Sequence, residues 1–323
     1  MNSPAGRNPL RPKISIVVLT ALLLTGIYGG MQKRRGPEWI GLSERAWKAS
    51  FSEHGIKAPP RGPREGFGLK RLHLQSTQTM GSRESAHAVP DLLTVNNQGL
   101  QYAILPPHPQ SRILIVGASV AFAVYATTVH RTYFNQLALR LYQLGTPAEI
   151  IVLATGGWKS FNELRALQTI GLKLKPDVVV LLDGLNDMTQ PPARSRDSRV
   201  QIYLDHVKEM RDLSIAHGAR VVFALQPFLP DKAHKSSLEK MILRYPFYFA
   251  PLKDIVEGFH AELAGLQQLV IPNQAFLIDC SRVFDDDPKT VFADLWHFPD
   301  IGQAVFGRYL ATQLKTILFT VKK

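Results

Sequence analysis

Cysteine is nearly missing from this chain, with one residue, Cys280, in 323. An intramolecular disulfide is thereby excluded, and an isolated cysteine offers no zinc cluster. Cys280 closes the run Ala275-Phe276-Leu277-Ile278-Asp279-Cys280, which marks it as a buried strand residue rather than a second nucleophile. Acidic residues are also in short supply, 26 Asp and Glu against 38 Lys and Arg, and the formal net charge is +12. Much of that surplus is local, since residues 32–72 hold ten Lys or Arg against four Glu. No nucleic-acid-binding module accompanies it, so nucleic acid is not an expected partner. The stretch reads as a solvated juxtamembrane segment beside anionic headgroups, with an acidic polymer as the other reading. Neither Gly-x-Gly-x-x-Gly nor Gly-x-x-x-x-Gly-Lys-Ser/Thr follows the first strand-like run, which argues against a nucleotide-binding domain.

Charge is absent altogether from Ile14 to Met31, which follows Arg7, Arg11 and Lys13. At about 1.5 Å per residue such a run nearly spans a hydrocarbon core of about 30 Å. It is a short transmembrane helix or a long signal-peptide core. Tyr28-Gly29-Gly30-Met31 followed by Lys33-Arg34-Arg35 makes a poor cleavage site, which favours an uncleaved anchor. Basic residues flank both sides, so the positive-inside rule barely orients it.

With 45% apolar residues the chain has ample material for a core. The expected organisation is a basic segment 1–13, an anchor 14–31, a linker and irregular cap 32–110, and a main domain 111–323. The cap assignment follows from turn formers such as Pro59-Pro60, Gly62-Pro63 and Pro106-Pro107. From Arg112 onward, apolar runs alternate with helical stretches: Ile113–Val116, Ile150–Leu153, Val178–Leu182, Val221–Leu225 and Phe276–Ile278. Runs apolar throughout suit strands buried on both faces of a parallel sheet. Strands alternating with helices predict a three-layer α/β/α domain.

Four short segments carry chemistry: Gly117-Ala118-Ser119, Gly156-Gly157, Gly184-Leu185-Asn186-Asp187 and Asp294-Leu295-Trp296-His297. Taken singly, Ser119 is an ordinary helix cap, Asn186-Asp187 a strand-end turn and His297 a surface histidine. Together they supply a hydroxyl nucleophile, oxyanion donors, a base and a carboxylate to orient it. The first three blocks follow successive strands, at the carboxyl edge where open α/β sheets bind ligands.

This arrangement resembles the GDSL or SGNH hydrolase superfamily, named for its Ser, Gly, Asn and His, over about residues 112–318. The resemblance implies a flavodoxin-like sandwich around a mostly parallel five-stranded sheet. It implies Ser119 as nucleophile at a helix N-terminus, His297 as base and Asp294 as its orienting carboxylate. The backbone N–H groups of Ser119 and Gly157, with the Asn186 amide, become the oxyanion hole; a register shift would put Gly156 in that role. No metal and no organic cofactor is implied, and the partner is an acyl-ester substrate of a lipid or envelope glycan. The expected site of action is the extracytoplasmic side of the inner membrane. Hydrolysis leads, with O-acyl transfer to a glycan through the same Ser119 intermediate and an inert binding module as alternatives. Oligomeric state is left open.

Two departures stand out. Ala118 replaces the acid of the usual Gly-Asp-Ser, and Val152-Leu153-Ala154-Thr155 lacks the Asn that often precedes the glycine block. Trp158 and Trp296 are read either as subsite walls or as packing. Pro227–Pro246, with Phe228, Lys232, His234 and Lys235, reads as a lid, a substrate loop or a solvated excursion.

Overall fold

A computed structural model of the chain describes residues 100–103, 108–126, 129–189, 195–244 and 250–319. The expected anchor 14–31 and the basic stretch 32–72 lie outside the described residues. Among the described residues, no helix is long and apolar enough to cross a membrane.

The five anticipated strands form as β2 (Ser111–Gly117), β3 (Ala148–Ala154), β4 (Val178–Asp183), β5 (Arg220–Leu225) and β6 (Ala275–Asp279), all parallel. Burial dictates their composition. β4 reads Val-Val-Val-Leu-Leu-Asp and every residue of it is buried, so alternation has no use there. Each of its apolar side chains contributes roughly 1.5–3 kcal/mol by leaving water.

A sixth strand was not anticipated. β1 (Gln101–Tyr102) pairs antiparallel with β3, Gln101 facing Val152, and Ala103 N–H extends the ladder to Ile150 O at 3.1 Å. Residues 100–103 thus lie on the sheet edge, inside the stretch read as linker and cap. Two residues carry no period, so only the burial of Leu100 and Gln101, at 0% and 1% exposure, gives the strand away.

The sheet order is β1-β3-β2-β4-β5-β6. Without β1 this is the flavodoxin-like order, whose direction reverses between β2 and β4. Right-handed crossovers then require one helix layer on each face. The helices are α1 (Tyr133–Gln143), α2 (Ser160–Thr169), α3 (Arg196–Ala216), the short α4 (Ser237–Ile242), α5 (Leu252–Gln268) and α6 (Asp300–Phe319). α1 packs on α6, while α3 packs against both α2 and α5. The resulting three layers are those expected from the sequence. At the β6 edge, Tyr309 of α6 donates its hydroxyl to Asp279 O at 3.1 Å. Cys280, one residue past β6, is free and fully buried, and burial pushes its thiol pKa well up.

Candidate active site

β2 ends on Gly117 because nothing larger fits: a Cβ there would lie 2.1 Å from Leu182 O and 2.7 Å from Ala121 Cβ. Ala118 is 4% exposed in the apolar core, a setting in which a methyl group costs nothing and a carboxylate would need a partner. Ser119 follows, half-buried. The helix expected to start at Ser119 does not form. One α-type bond, Phe122 N–H to Ala118 O at 2.9 Å, is succeeded by turns in which Ala123 (φ 61°) and Tyr125 (φ 73°) are left-handed. Val120-Ala121-Phe122-Ala123-Val124 has no polar face and all five residues are buried, and the left-handed residues at 123 and 125 turn the chain before a second helical turn can close. The first long helix starts only at Tyr133, capped by Thr132.

The Asp294–His297 loop is built around one carboxylate. Asp294 Oδ1 accepts the N–H groups of Trp296 (3.0 Å) and His297 (2.8 Å), leaving Oδ2 for His297 Nδ1 at 2.7 Å. A carboxylate only accepts, so Nδ1 carries the imidazole hydrogen and Nε2 is left as acceptor. Ser119 Oγ lies 2.7 Å from that Nε2. The imidazole is 15% exposed and is met edge-on by Tyr125 at 5.6 Å and Trp296 at 5.8 Å. Trp296 and Trp158 are themselves buried in the core, which favours packing over subsite walls.

The described part of the insertion, residues 227–244, packs against the histidine loop rather than forming a lid. Lys232, fully buried, donates to Glu239 Oε2 and to Lys289 O, each at 2.6 Å. Glu239 Oε1 accepts the N–H groups of Val291 (2.9 Å) and Phe292 (3.2 Å), and Leu229 N–H reaches Leu295 O at 2.9 Å. The segment braces the histidine loop from behind. Its charges suggested solvent because a buried Lys-Glu pair seven residues apart leaves no periodic signal.

On the other arm, Thr155–Trp158 is a turn closed by Trp158 N–H to Thr155 O at 3.2 Å. Gly157 takes φ 82° at its third position, the requirement of a type II turn. A Cβ there would meet nothing within 4 Å, and Gly157 is exposed while Gly156 is half-buried. Asn186 follows β4 on a turn closed by Met188 N–H to Leu185 O at 3.0 Å. Its amide donates to Trp158 O at 2.6 Å, which uses one hydrogen and leaves the second for a ligand. Among the described residues, neither Ser119 N–H nor Gly157 N–H has an intramolecular acceptor.

Beneath the Gly184–Asp187 turn lies a group that sequence reasoning missed, apart from naming Asp187 in its strand-end turn. Glu163 of α2, Asp183, Asp187 and Glu262 of α5 are all buried. Burial raises all four pKa values, and for Glu163, Asp183 and Glu262 neighbouring acids add to the shift. Among the described residues no hydrogen-bond partner reaches the carboxyl oxygens of Glu163 or Asp183, and burial among neighbouring acids favours their protonated forms. The legible signal was an acid on an apolar stripe: Glu262 falls in register with Ile255, Phe259 and Leu266. Among the described residues, no group of three or more His, Cys, Asp or Glu is arranged to hold a metal ion.

No family model matches the chain, and no curated protein matches it. Solved structures similar to it include an acetyl xylan esterase, 18% identical over 64% of this chain and 98% of that one, with TM-score 0.45. A lipase/acylhydrolase from Enterococcus faecalis is 17% identical over 64% and 96%, with TM-score 0.48. A variant of an acetyl-xylooligosaccharide esterase from Geobacillus stearmophilus is 14% identical over 65% and 95%, with TM-score 0.46.

Proposed function

We propose that this chain is a serine ester hydrolase of the GDSL/SGNH type. The observation that carries the reading is the unbroken relay Asp294–His297–Ser119, with both links at 2.7 Å. In this mechanism His297 Nε2 takes the Ser119 proton as Oγ attacks the ester carbonyl. The tetrahedral oxyanion is met by Ser119 N–H, Gly157 N–H and the second Asn186 amide hydrogen, each donor worth about 3–4 kcal/mol in the transition state. The imidazolium returns its proton to the departing alcohol, leaving an acyl-Ser119. Water, deprotonated by the same Nε2, attacks the acyl carbonyl, and the imidazolium returns that proton to Ser119 Oγ as the acid leaves. Every proton is handled by a named side chain.

The apolar run 14–31 serves as an anchor in this proposal, with the acyl-transfer domain on the extracytoplasmic side and an O-acyl ester of a lipid or envelope glycan as substrate. What supports the anchor is the length of the charge-free run; the extracytoplasmic side follows only from the envelope ester proposed as substrate. A reporter fused after Lys323 that is active only in the cytoplasm would overturn it.

The site itself is tested by exposing the full chain to a fluorophosphonate serine probe beside Ser119→Ala. Labelling that disappears in the variant is the expected result. A folded wild-type chain that stays unlabelled overturns the reading.

A further inference from the structure

Asp187, one residue past Asn186, reaches across to the segment that carries Gly157. Its Oδ2 accepts Ser160 N–H at 3.0 Å and its Oδ1 accepts the Ser160 hydroxyl at 2.8 Å. That hydroxyl has one hydrogen, spent on Asp187, so it accepts in turn from His206 Nδ1 at 2.8 Å. Ser160 is fully buried and is the first residue of α2. Its N–H is one of the orphan donors of a helix start, and Lys159 before it has no acceptor side chain to offer. The cap comes instead from Asp187, 27 residues downstream.

Asn186 meanwhile holds Trp158 O at 2.6 Å. Two adjacent residues therefore grip the backbone at 158 and at 160, directly after Gly157. Burial raises the pKa of Asp187, while its bonds to Ser160 and the charges of Lys159 and His206 oppose that rise.

We infer that Asp187 is a positioning residue for the oxyanion hole, fixing Gly157 relative to Asn186 through Ser160. The inference rests on the acyl-transfer reading. Asp187 touches no reacting atom in it; its effect passes through the donors it holds in place.

The test uses the full chain, hydrolysis of p-nitrophenyl acetate and the rate of fluorophosphonate labelling. Asp187→Ala is expected to lower kcat by about 30-fold, a fraction of the 100- to 1000-fold typical for losing an oxyanion donor outright, with KM within about twofold. Asp187→Asn keeps an acceptor for Ser160 N–H and is expected to recover most of that loss. In an Asn186→Ala background, Asp187→Ala is expected to cost less than about threefold more, because residues acting through one unit are not additive. A full additional 30-fold loss in that background, or an Asn variant no better than Ala, reduces Asp187 to a structural residue and overturns the inference. A wild-type chain that neither hydrolyses nor labels overturns the acyl-transfer reading itself, and the inference with it.

Discussion

Lys232 and Glu239 form an ion pair at 2.6 Å with neither side chain exposed. Such a pair is weak as a source of net stability, because desolvating both ions offsets most of their attraction. Its consequence here is positional, since the same carboxylate holds the N–H groups of Val291 and Phe292, three and two residues before Asp294. The expected outcome follows from charge. Lys232→Met leaves Glu239 buried and unpaired and costs about 3–5 kcal/mol. Adding Glu239→Gln removes the stranded charge while its amide oxygen still accepts from 291 and 292. Urea denaturation should find the double variant more stable than Lys232→Met alone; equal or lower stability would show that the pair does not brace the loop in this way.

Asp294 has two separable tasks, and one substitution divides them. Asparagine retains an oxygen for the Trp296 and His297 N–H groups, so the loop keeps its shape. The amide nitrogen, however, cannot accept from His297 Nδ1–H, and the imidazole is driven toward the tautomer that cannot take the Ser119 proton. Asp294→Asn should therefore melt within a few degrees of wild type yet lose about 10^3- to 10^4-fold in kcat. A loss below tenfold would mean that His297 is oriented by something else.

The parts of this protein that were legible in its sequence are those with a period or a fixed order. β2 to β5 are built around uninterrupted apolar runs, the blocks at 117–119 and 184–187 announce themselves at strand ends, and 294–297 does so by its Asp-x-x-His spacing ahead of the last helix. The rest depended on tertiary placement. The turn after Ser119 looks helical until it is known that Val120 to Val124 are buried on every side. Lys232 looks solvated until Glu239 is found facing it, and Glu163 looks like a surface acid until it is found fully buried. Charge reads as exposure in one dimension, and this fold buries several charges behind the edge where the candidate site lies.

Two glycines make opposite predictions. Gly117→Ala puts a methyl 2.1 Å from Leu182 O, a backbone atom that cannot give way without parting β2 from β4. The variant should fail to fold or lose several kcal/mol, about the cost of severe overpacking. Gly157→Ala meets no protein atom, and its φ of 82° costs only about 1–2 kcal/mol. It should remain folded, but its methyl enters the open space in front of the proposed oxyanion donors, so kcat/KM should fall at least tenfold. Thermal melting beside ester hydrolysis separates the two; an active Gly157→Ala protein would move the donor role to Gly156.

Asp183 makes stability depend on pH with a definite sign. Burial, then the charge of Asp187, pushes its pKa up to about 7, against the pull of contacts to Glu163 and the Gly184 N–H. An unfolded Asp releases its proton near pH 4. Between those values the folded chain binds a proton that the unfolded chain has lost, so stability is greatest at the acid end of the window and falls as pH rises through it. Above about 7 this group adds no further slope. Glu163 and Glu262, also raised, act in the same direction. Asp183→Asn removes one titrating site, keeps the shape and supplies Glu163 with a donor. The melting temperature of wild type should drop between pH 5 and pH 8, and the drop should be smaller in the variant, by about 2–4 °C for each kcal/mol recovered in a domain of this size. Equal drops in the two proteins would mean that Asp183 stays ionised in the fold.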